Sequence, residues 1–288
     1  MAQQFECFED DCEFSEWAET EDEVLDVAED HLAEHDLSVP DEEIRKHIRT
    51  VPSPKRIKSS PEEIMDERRE RGGRQAAEVV EDGMVVGLGT GSTTAWAIVE
   101  LGSRVDDGLD IHGVATSLQS HELAKEAGVP LINLDEVSEI DVAIDGADRY
   151  SPENPHVVKG GGASHAREKV VDTAADRLVI ATDEEKATEP IEYPVPLSVL
   201  PDSRTLAMKW VREQGGSPEI RYAERKDGPL FTANGNLVID CDFGPIEDPA
   251  DRARKLSAIP GAQEHGLFVN MVDDLYIGTS DGVETIQF

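Results

Sequence analysis

The stretch Asp145 to Lys169 reads DGADRYSPENPHVVKGGGASHAREK and gathers two aspartates, a lysine, three consecutive glycines and a glutamate. Carboxylates and an ammonium grouped in this way suit proton transfer on a small hydroxylated substrate, with the lysine stabilising a developing oxyanion. Three glycines in a row carry a high entropy cost, so they mark backbone that approaches a ligand closely or takes positive φ. A second polar cluster lies upstream in GLGTGSTTAWAIVEL, from Gly87 to Leu101. Its pattern is strand, Gly-rich turn, helix. The hydroxyls of Thr90, Ser92, Thr93 and Thr94 and the first helical N–H groups would meet at a positive helix end, which welcomes a phosphate. No Gly-Lys-Ser/Thr follows, so this is not a nucleotide P-loop. Gly87, Gly89 and Gly91 space as GxGxG, and the next strand, DIHGVATS, ends at Ser117 without an acid for a ribose hydroxyl, which argues against a dinucleotide site. Taken one at a time, each residue has a plainer role. Asp145 or Asp148 could cap a turn, Glu168 could ride an exposed helix face beside Arg167 or Lys169, and the Gly-rich loop could be a tight connection only.

The elements that must hold these groups are legible around them. Asp145 and Asp148 follow the apolar run DVAI, Lys159 closes a second short run, and Glu168 opens the helical stretch SHAREKVVDTAAD. Charged groups just beyond strand ends occupy the edge where open α/β sheets bind ligands. A helix is expected over about 62–80 and another over 92–101, with strands at 84–88, 111–116, 131–134, 141–145, 157–159 and 178–181. Residues 190–265 read as a small α+β insert. It contains a helix in RTLAMKWVREQGG, a strand in EIRYAE, and a hairpin of FTA and NLVIDCDF joined around Asn234-Gly235. The chain then returns with LFVNMV, DLYIGTS and VETIQF.

The chain has 288 residues, with 62 acidic against 27 basic side chains and a net charge of -35. Recurrent apolar runs exclude a disordered polyelectrolyte. The acid coat repels nucleic acid and anionic membranes and suits a salt-loaded cytosol, where the Debye length falls to roughly 3 Å near 1 M. The expectation is a halophile's cytoplasmic protein that takes a small-molecule partner, with no nucleic acid and no membrane. No apolar run approaches the roughly 20 residues of a membrane span, and MAQQFECFED lacks the features of a signal peptide. Three cysteines do not make a disulfide framework.

Several motifs in one order, GLGTGST, SLQSHELAKEAGVPL, DVAIDGAD, KGGGASHAREK, VIATDEEK and TANGNLVIDCDF, resemble the A-type ribose-5-phosphate isomerases from about residue 62 to the C-terminus. The resemblance implies interconversion of ribose 5-phosphate and ribulose 5-phosphate through an enediolate, in the non-oxidative pentose phosphate pathway, with no cofactor for catalysis. It implies Glu168 as the proton shuttle, Lys159 as the stabiliser of the enediolate oxygens, and Asp145 and Asp148 as the groups that hold sugar hydroxyls and assist ring opening. Substrate binding would fall to Thr90, Gly91, Ser92, Thr93, Gly146, Ala147, Gly160, Gly161, Gly162, Lys186 and Arg69. Arg69 stands where bacterial relatives carry a lysine, and Arg149 where the family usually has a glutamate. The implied fold is α/β, a Rossmann-like parallel sheet with helices on both faces and a ferredoxin-like α+β insert. A homo-oligomer, dimer or tetramer, is expected.

Residues 1–50 form a separate small acidic domain, with 18 acidic and 3 basic side chains, followed by a linker, VPSPKRIKSS, at 51–60 and the catalytic domain at 61–288. Cys7, Cys12, His31 and His35 space as C-x4-C-x18-H-x3-H, two thiolates and two imidazoles suited to a structural zinc. The segment weakly resembles small zinc-finger-like domains of haloarchaea. The alternative is a packed core containing two ordinary cysteines, with the histidines on a solvated helix. A second function class, a sugar-phosphate-sensing regulator with a zinc-finger module, conflicts with the acidity of residues 1–50, since DNA binding needs clustered Lys and Arg.

Overall fold

The computed structural model describes residues 2–7, 12, 15–18, 21–35, 39–51, 67–223 and 227–288. The chain separates into two compact units, Met1–Arg56 and Ile57–Phe288. Most of the expected linker and the first residues of the helix expected at 62–80 lie outside the described residues.

In the first unit, β1 (Ala2–Glu6) pairs antiparallel with both β2 (Ser15–Ala18) and β3 (Ile48–Val51), and α1 (Glu21–Glu34) and the short α2 (Asp41–Ile44) lie between β2 and β3 in the chain. α1 carries Val24, Leu25, Ala28 and Leu32 on one stripe, and these pack with Phe5 and Ile44 into a small core. The three strands were not expected: AQQFE and SEWA lack the β-branched residues that announce a strand, and IRTV, which has them, is short and runs into the expected linker at Val51.

The second unit runs α3 (Glu67–Ala77), β4 (Val85–Leu88), α4 (Ser92–Asp106), β5 (His112–Ala115), α5 (Leu118–Glu126), β6 (Val142–Asp145), β7 (Arg149–Tyr150), β8 (His156–Val158), α6 (His165–Ala174) and β9 (Leu178–Asp183). It continues with β10 (Val195–Val199), α7 (Arg204–Glu213), β11 (Ser217–Ile220), β12 (Leu237–Asp242), α8 (Pro249–Ser257), β13 (Ala262–His265), β14 (Leu267–Val269), β15 (Asp274–Gly278) and β16 (Val283–Gln287). The main sheet has the order β16-β15-β9-β6-β4-β5, parallel throughout except for β16. Its central strands, β6 and β9, are buried along their whole length, which accounts for their unbroken apolar sequences. β10 to β13 form the insert as a βαββαβ unit with order β11-β12-β10-β13, the ferredoxin-like arrangement.

Two local expectations are corrected. Residues 131–134 make only an isolated bridge from Leu131 to Gly113. Asn133 and Glu136 then close a capping box around a 3-10 turn at Leu134–Glu136, so local turn chemistry displaces a strand. The FTA/NLVIDCDF hairpin contracts to one bridge, Phe231 to Leu237, because β12 has better partners in β10 and β11 on either side.

Helix α3 places Arg69, and two mid-helix glycines make that placement possible. Each costs roughly 1 kcal/mol relative to alanine in a helix interior. A Cβ at Gly73 would sit 2.3 Å from the Thr93 carbonyl oxygen, and one at Gly72 would sit 2.8 Å from that of Thr182. Only bare backbone therefore lets α3 press against the start of α4 and the end of β9, which carry the Thr93 and Asp183 sides of the cavity described below.

Candidate active site

The C-terminal ends of β4, β6, β8 and β9, with the loops that follow them, surround a cavity of about 780 Å³. Its lining includes Arg69, Thr90, Gly91, Ser92, Thr93, Gly146, Ala147, Asp148, Lys159, Gly160, Gly161, Gly162, Glu168 and Lys186. Arg69 and Lys186, 117 positions apart in the chain, thus converge on one space with the residues between them, as the strand-end argument requires. Asp145 is the exception. It does not line the cavity and is completely buried behind Lys159.

One corner is built for an anion. Gly91, at φ 137°, caps α4 in a conformation that side chains avoid, and so turns the first helical N–H groups into the space. The Thr90 hydroxyl donates to Ser117 Oγ at 2.6 Å and meets Thr116 Oγ1 at 2.9 Å. The buried hydroxyls of Thr93 and Thr94 have no hydrogen-bond partner among the described residues. Two cations complete the corner. Arg69 donates from its Nε to Asp183 Oδ2 at 3.1 Å and from a terminal nitrogen to Ser92 Oγ at 3.1 Å. Lys186 Nζ stands 3.8 Å from the same Asp183 oxygen. Burial lowers the Lys186 pKa, Asp183 opposes this, and the neighbouring Arg69 adds to it, so an incoming dianion would relieve the crowding of the two cations.

A second part of the lining holds the groups suited to proton transfer. Lys159 is 2 % exposed; its Nζ donates to the Gly146 carbonyl at 2.7 Å and lies 2.8 Å from Asp145 Oδ1 and 3.5 Å from Glu168 Oε2. Asp145 Oδ1 also accepts from the backbone of Thr90 at 3.0 Å and of Gly146 at 2.6 Å. Gly89 is a glycine because a Cβ there would come within 2.2 Å of that same oxygen. Burial alone would lower the Lys159 pKa, but Asp145 and Glu168 outweigh it and raise it, so the ammonium keeps its charge. For Glu168, burial is the dominant effect and pushes the carboxyl well above the usual carboxylate range. Lys159 counteracts this, and Asp145 and Asp148 reinforce it. A buried glutamate of raised proton affinity next to a permanent cation is the arrangement a proton shuttle needs.

The Gly triplet is clamped from two directions. Gly160 takes φ 107°, and a Cβ there would meet the His165 ring at 2.7 Å. His165 is structural: burial first, then Lys169, lowers its pKa to about 4, and the neutral ring pairs its Nε2 with Ser198 Oγ at 2.8 Å. Arg221, from the insert, donates to the Gly160 carbonyl at 2.7 Å and to that of Gly161 at 3.0 Å while held by Asp240. Gly161 in turn gives its N–H to Asp148 Oδ2 at 2.7 Å. Arg149 does not disturb Asp148: it bonds the Asp148 carbonyl at 2.7 Å and lays its guanidinium over the Tyr193 ring at 4.7 Å. Sequence reasoning passed over Arg221, Tyr193 and Gln119, which also line the cavity. The only signal for Arg221 was a basic residue within the β-rich stretch EIRYAE.

Comparison with known proteins decides the lineage. The family model for ribose 5-phosphate isomerase A (phosphoriboisomerase A) matches residues 112–282. A ribose-5-phosphate isomerase A of Natronomonas pharaonis is 57 % identical over 214 residues, covering 74 % of this chain and 94 % of that protein. The chain belongs to the ribose-5-phosphate isomerase A family. The Haloarcula marismortui relative is 55 % identical over 218 residues, 76 % of this chain and 94 % of its own. The solved structure of ribose 5-phosphate isomerase A from Methanocaldococcus jannaschii superposes with a TM-score of 0.75 at 38 % identity, covering 77 % of this chain and 99 % of that one. The enzyme is therefore an isomerase of ribose 5-phosphate and ribulose 5-phosphate, and the regulatory alternative is not supported. Relatives from halophilic archaea accord with the acid coat. No helix among the described residues is long and apolar enough to cross a membrane. The first unit lies outside the matched family region.

Its four candidate ligands nevertheless converge. The ligand atoms of Cys7, Cys12, His31 and His35 all lie within 4.8 Å of one another. Cys12 Sγ is 3.2 Å from His31 Nε2 and 3.3 Å from His35 Nε2, and the two imidazole nitrogens are 3.1 Å apart.

Proposed function

We propose that this enzyme isomerises the open-chain sugar phosphate with Glu168 as its single proton-transfer base. Phosphate is held by Arg69, Lys186, the N-terminus of α4 and the hydroxyls of Ser92 and Thr93. Gly146, Ala147 and the Gly160–Gly162 backbone flank the sugar, and Asp148, fixed by Gly161, holds sugar hydroxyls and assists ring opening. Glu168 removes the proton on carbon 2 of the aldose as the carbonyl electrons move onto oxygen 1, giving an enediolate. Lys159 sits where that negative charge develops. A proton passes from oxygen 2 to oxygen 1, and Glu168 returns its own proton to carbon 1, leaving the ketose. No redox partner or further reactant is required for this balance. Asp145, buried behind Lys159, serves by orienting that ammonium. The observation that carries the reading is the buried Glu168 beside Lys159 on the cavity wall. A related D-ribose-5-phosphate isomerase, 38 % identical, has been solved in complex with phospho-erythronic acid. The carboxylate of such a sugar acid presents two oxygens on one planar carbon, a shape close to that of an enediolate. Glu168→Gln should lower kcat by at least the ~10²-fold typical of losing a general base, with KM little changed. Near-normal turnover would remove Glu168 from this role.

The first unit is proposed to carry a structural zinc on Cys7, Cys12, His31 and His35. The support is the donor set itself: two sulfurs and two imidazole nitrogens, already nearly as close together as the edges of a tetrahedron with bonds of about 2.3 and 2.0 Å. A homo-oligomer built through the insert belongs to the same proposal, supported by the exposed Leu200 and Leu206 on the insert; a sedimentation mass equal to one chain would contradict it.

A further inference from the structure

Helix α6 carries a second buried acid that the reaction above leaves unused. Asp172 lies one helical turn beyond Glu168, on the same face of the helix, and is 3 % exposed. The charged groups that face it are Asp145 from β6, Lys159 at the end of β8 and Glu168 from its own helix. Among the described residues neither oxygen of Asp172 has a hydrogen-bond donor, and the buried Oδ2 of Asp145 has none either. Two ionised carboxylates in reach of one another offer only acceptors, so as anions they would leave all three oxygens unsatisfied in a low-dielectric interior. One ammonium, Lys159, would also have to balance three negative charges. A single proton between Asp172 and Asp145 eases both difficulties: it engages Asp145 Oδ2 and one oxygen of Asp172, and it takes one negative charge out of the cluster.

We propose that Asp172 is held as a neutral carboxylic acid that donates its proton to Asp145 Oδ2, making it a positioning residue for the reaction. Asp145 then has every oxygen engaged: Oδ1 by Lys159, Thr90 N–H and Gly146 N–H, and Oδ2 by Asp172. Its single negative charge is matched to Lys159, whose ammonium is thereby fixed toward the cavity. Glu168 is left as the one carboxyl of the cluster free to gain and lose a proton during turnover. Burial, followed by the nearby Asp145, raises the proton affinity of Asp172, in keeping with this role.

The test compares two substitutions in the full chain. Asp172→Asn keeps a donor of the same shape that cannot ionise, and Asp172→Leu removes the donor while filling the space. Asp172→Asn should retain kcat within about threefold at neutral pH and lose whatever alkaline decline in kcat the wild type owes to ionisation of this acid; Asp172→Leu should lose about tenfold or more in kcat with KM nearly unchanged. A difference infrared spectrum of wild type minus Asp172→Asn should show the carbonyl stretch of a protonated carboxyl. The band reports Asp172 whether or not Glu168 proves to be the base, and it decides the matter even if the leucine variant fails to fold. Absence of the band, a loss of more than about tenfold in Asp172→Asn, or an Asp172→Leu enzyme as active as Asp172→Asn would overturn the proposal.

Discussion

Gly73→Ala sets two effects of opposite sign against each other, and the geometry decides between them. In an exposed helix interior the change would stabilise by roughly 1 kcal/mol. Here the new Cβ would lie 2.3 Å from the Thr93 carbonyl oxygen, 2.7 Å from Trp96 Cβ and 3.1 Å from the Ala97 nitrogen. Two of those three neighbours are backbone in α4 and cannot turn aside, so α3 must move outward. Forced shifts of this kind cost typically 1–3 kcal/mol, which matches or exceeds the propensity gain. Net destabilisation of up to about 2 kcal/mol follows, or a fall in Tm of roughly 4–8 °C for a chain of this size. The functional consequence reaches further. Arg69 lies one turn earlier on α3, and its bonds to Asp183 and Ser92 depend on the helix seat. KM for ribose 5-phosphate should therefore rise several-fold while kcat changes less, because phosphate contacts act in ground and transition states alike. Thermal unfolding and steady-state kinetics in high salt read both effects. A variant more stable than wild type with unchanged KM would refute the reasoning.

Lys186→Ala and Thr93→Ala should each raise KM with kcat largely kept; an unchanged KM with collapsed turnover would move those residues from phosphate binding to chemistry. Arg221→Ala should release the Gly160 and Gly161 carbonyls and lower kcat by about tenfold without unfolding the insert, a result that kinetics and circular dichroism together would check. Because burial raises the Glu168 pKa, the base form appears only above the ordinary carboxylate range, so kcat/KM should climb with pH through the neutral region. The native state also binds that proton more tightly than the unfolded chain, so the contribution of Glu168 to stability declines as pH rises from the unfolded pKa toward the native one. Glu168→Gln should accordingly resist denaturant better than wild type on the alkaline side, and equal midpoints there would contradict the assignment. A zinc chelator should speed amide exchange within residues 2–51 and leave isomerase activity intact, as should a chain beginning at Pro61. Stoichiometric metal analysis without zinc would return Cys7, Cys12, His31 and His35 to ordinary packing.

The strand-end chemistry was legible because each motif is local. GLGTGST, DVAIDGAD and KGGGASHAREK each carry their turn, their glycines and their reactive side chains in one short run, so no long-range pairing had to be inferred. Residues acting across the fold were not. Arg221 reaches the Gly triplet from about sixty positions away, and the role of Asp172 depends on an oxygen of Asp145 that only the packed sheet brings near. Strand β10, VPLSV, was hidden by Pro196 and by Pro194 just before it, and its place at the centre of the insert follows from pairing with β12 and β13 rather than from its own propensity. The departure at Arg149 was visible in the sequence, but the place of its side chain depends on the Tyr193 ring, which packs against it from the start of the insert.

The central claim is that Glu168 alone moves the carbon-bound proton. It is tested most directly by following the carbon 2 hydrogen of ribose 5-phosphate in deuterium oxide by proton magnetic resonance, in high salt with a chelator present. Wild type should replace that hydrogen with deuterium and form ketose, and Glu168→Gln, still folded and still binding substrate, should lose exchange and turnover together by ~10²-fold or more. Exchange persisting at the wild-type rate in Glu168→Gln would place the base elsewhere in the cavity and contradict the account.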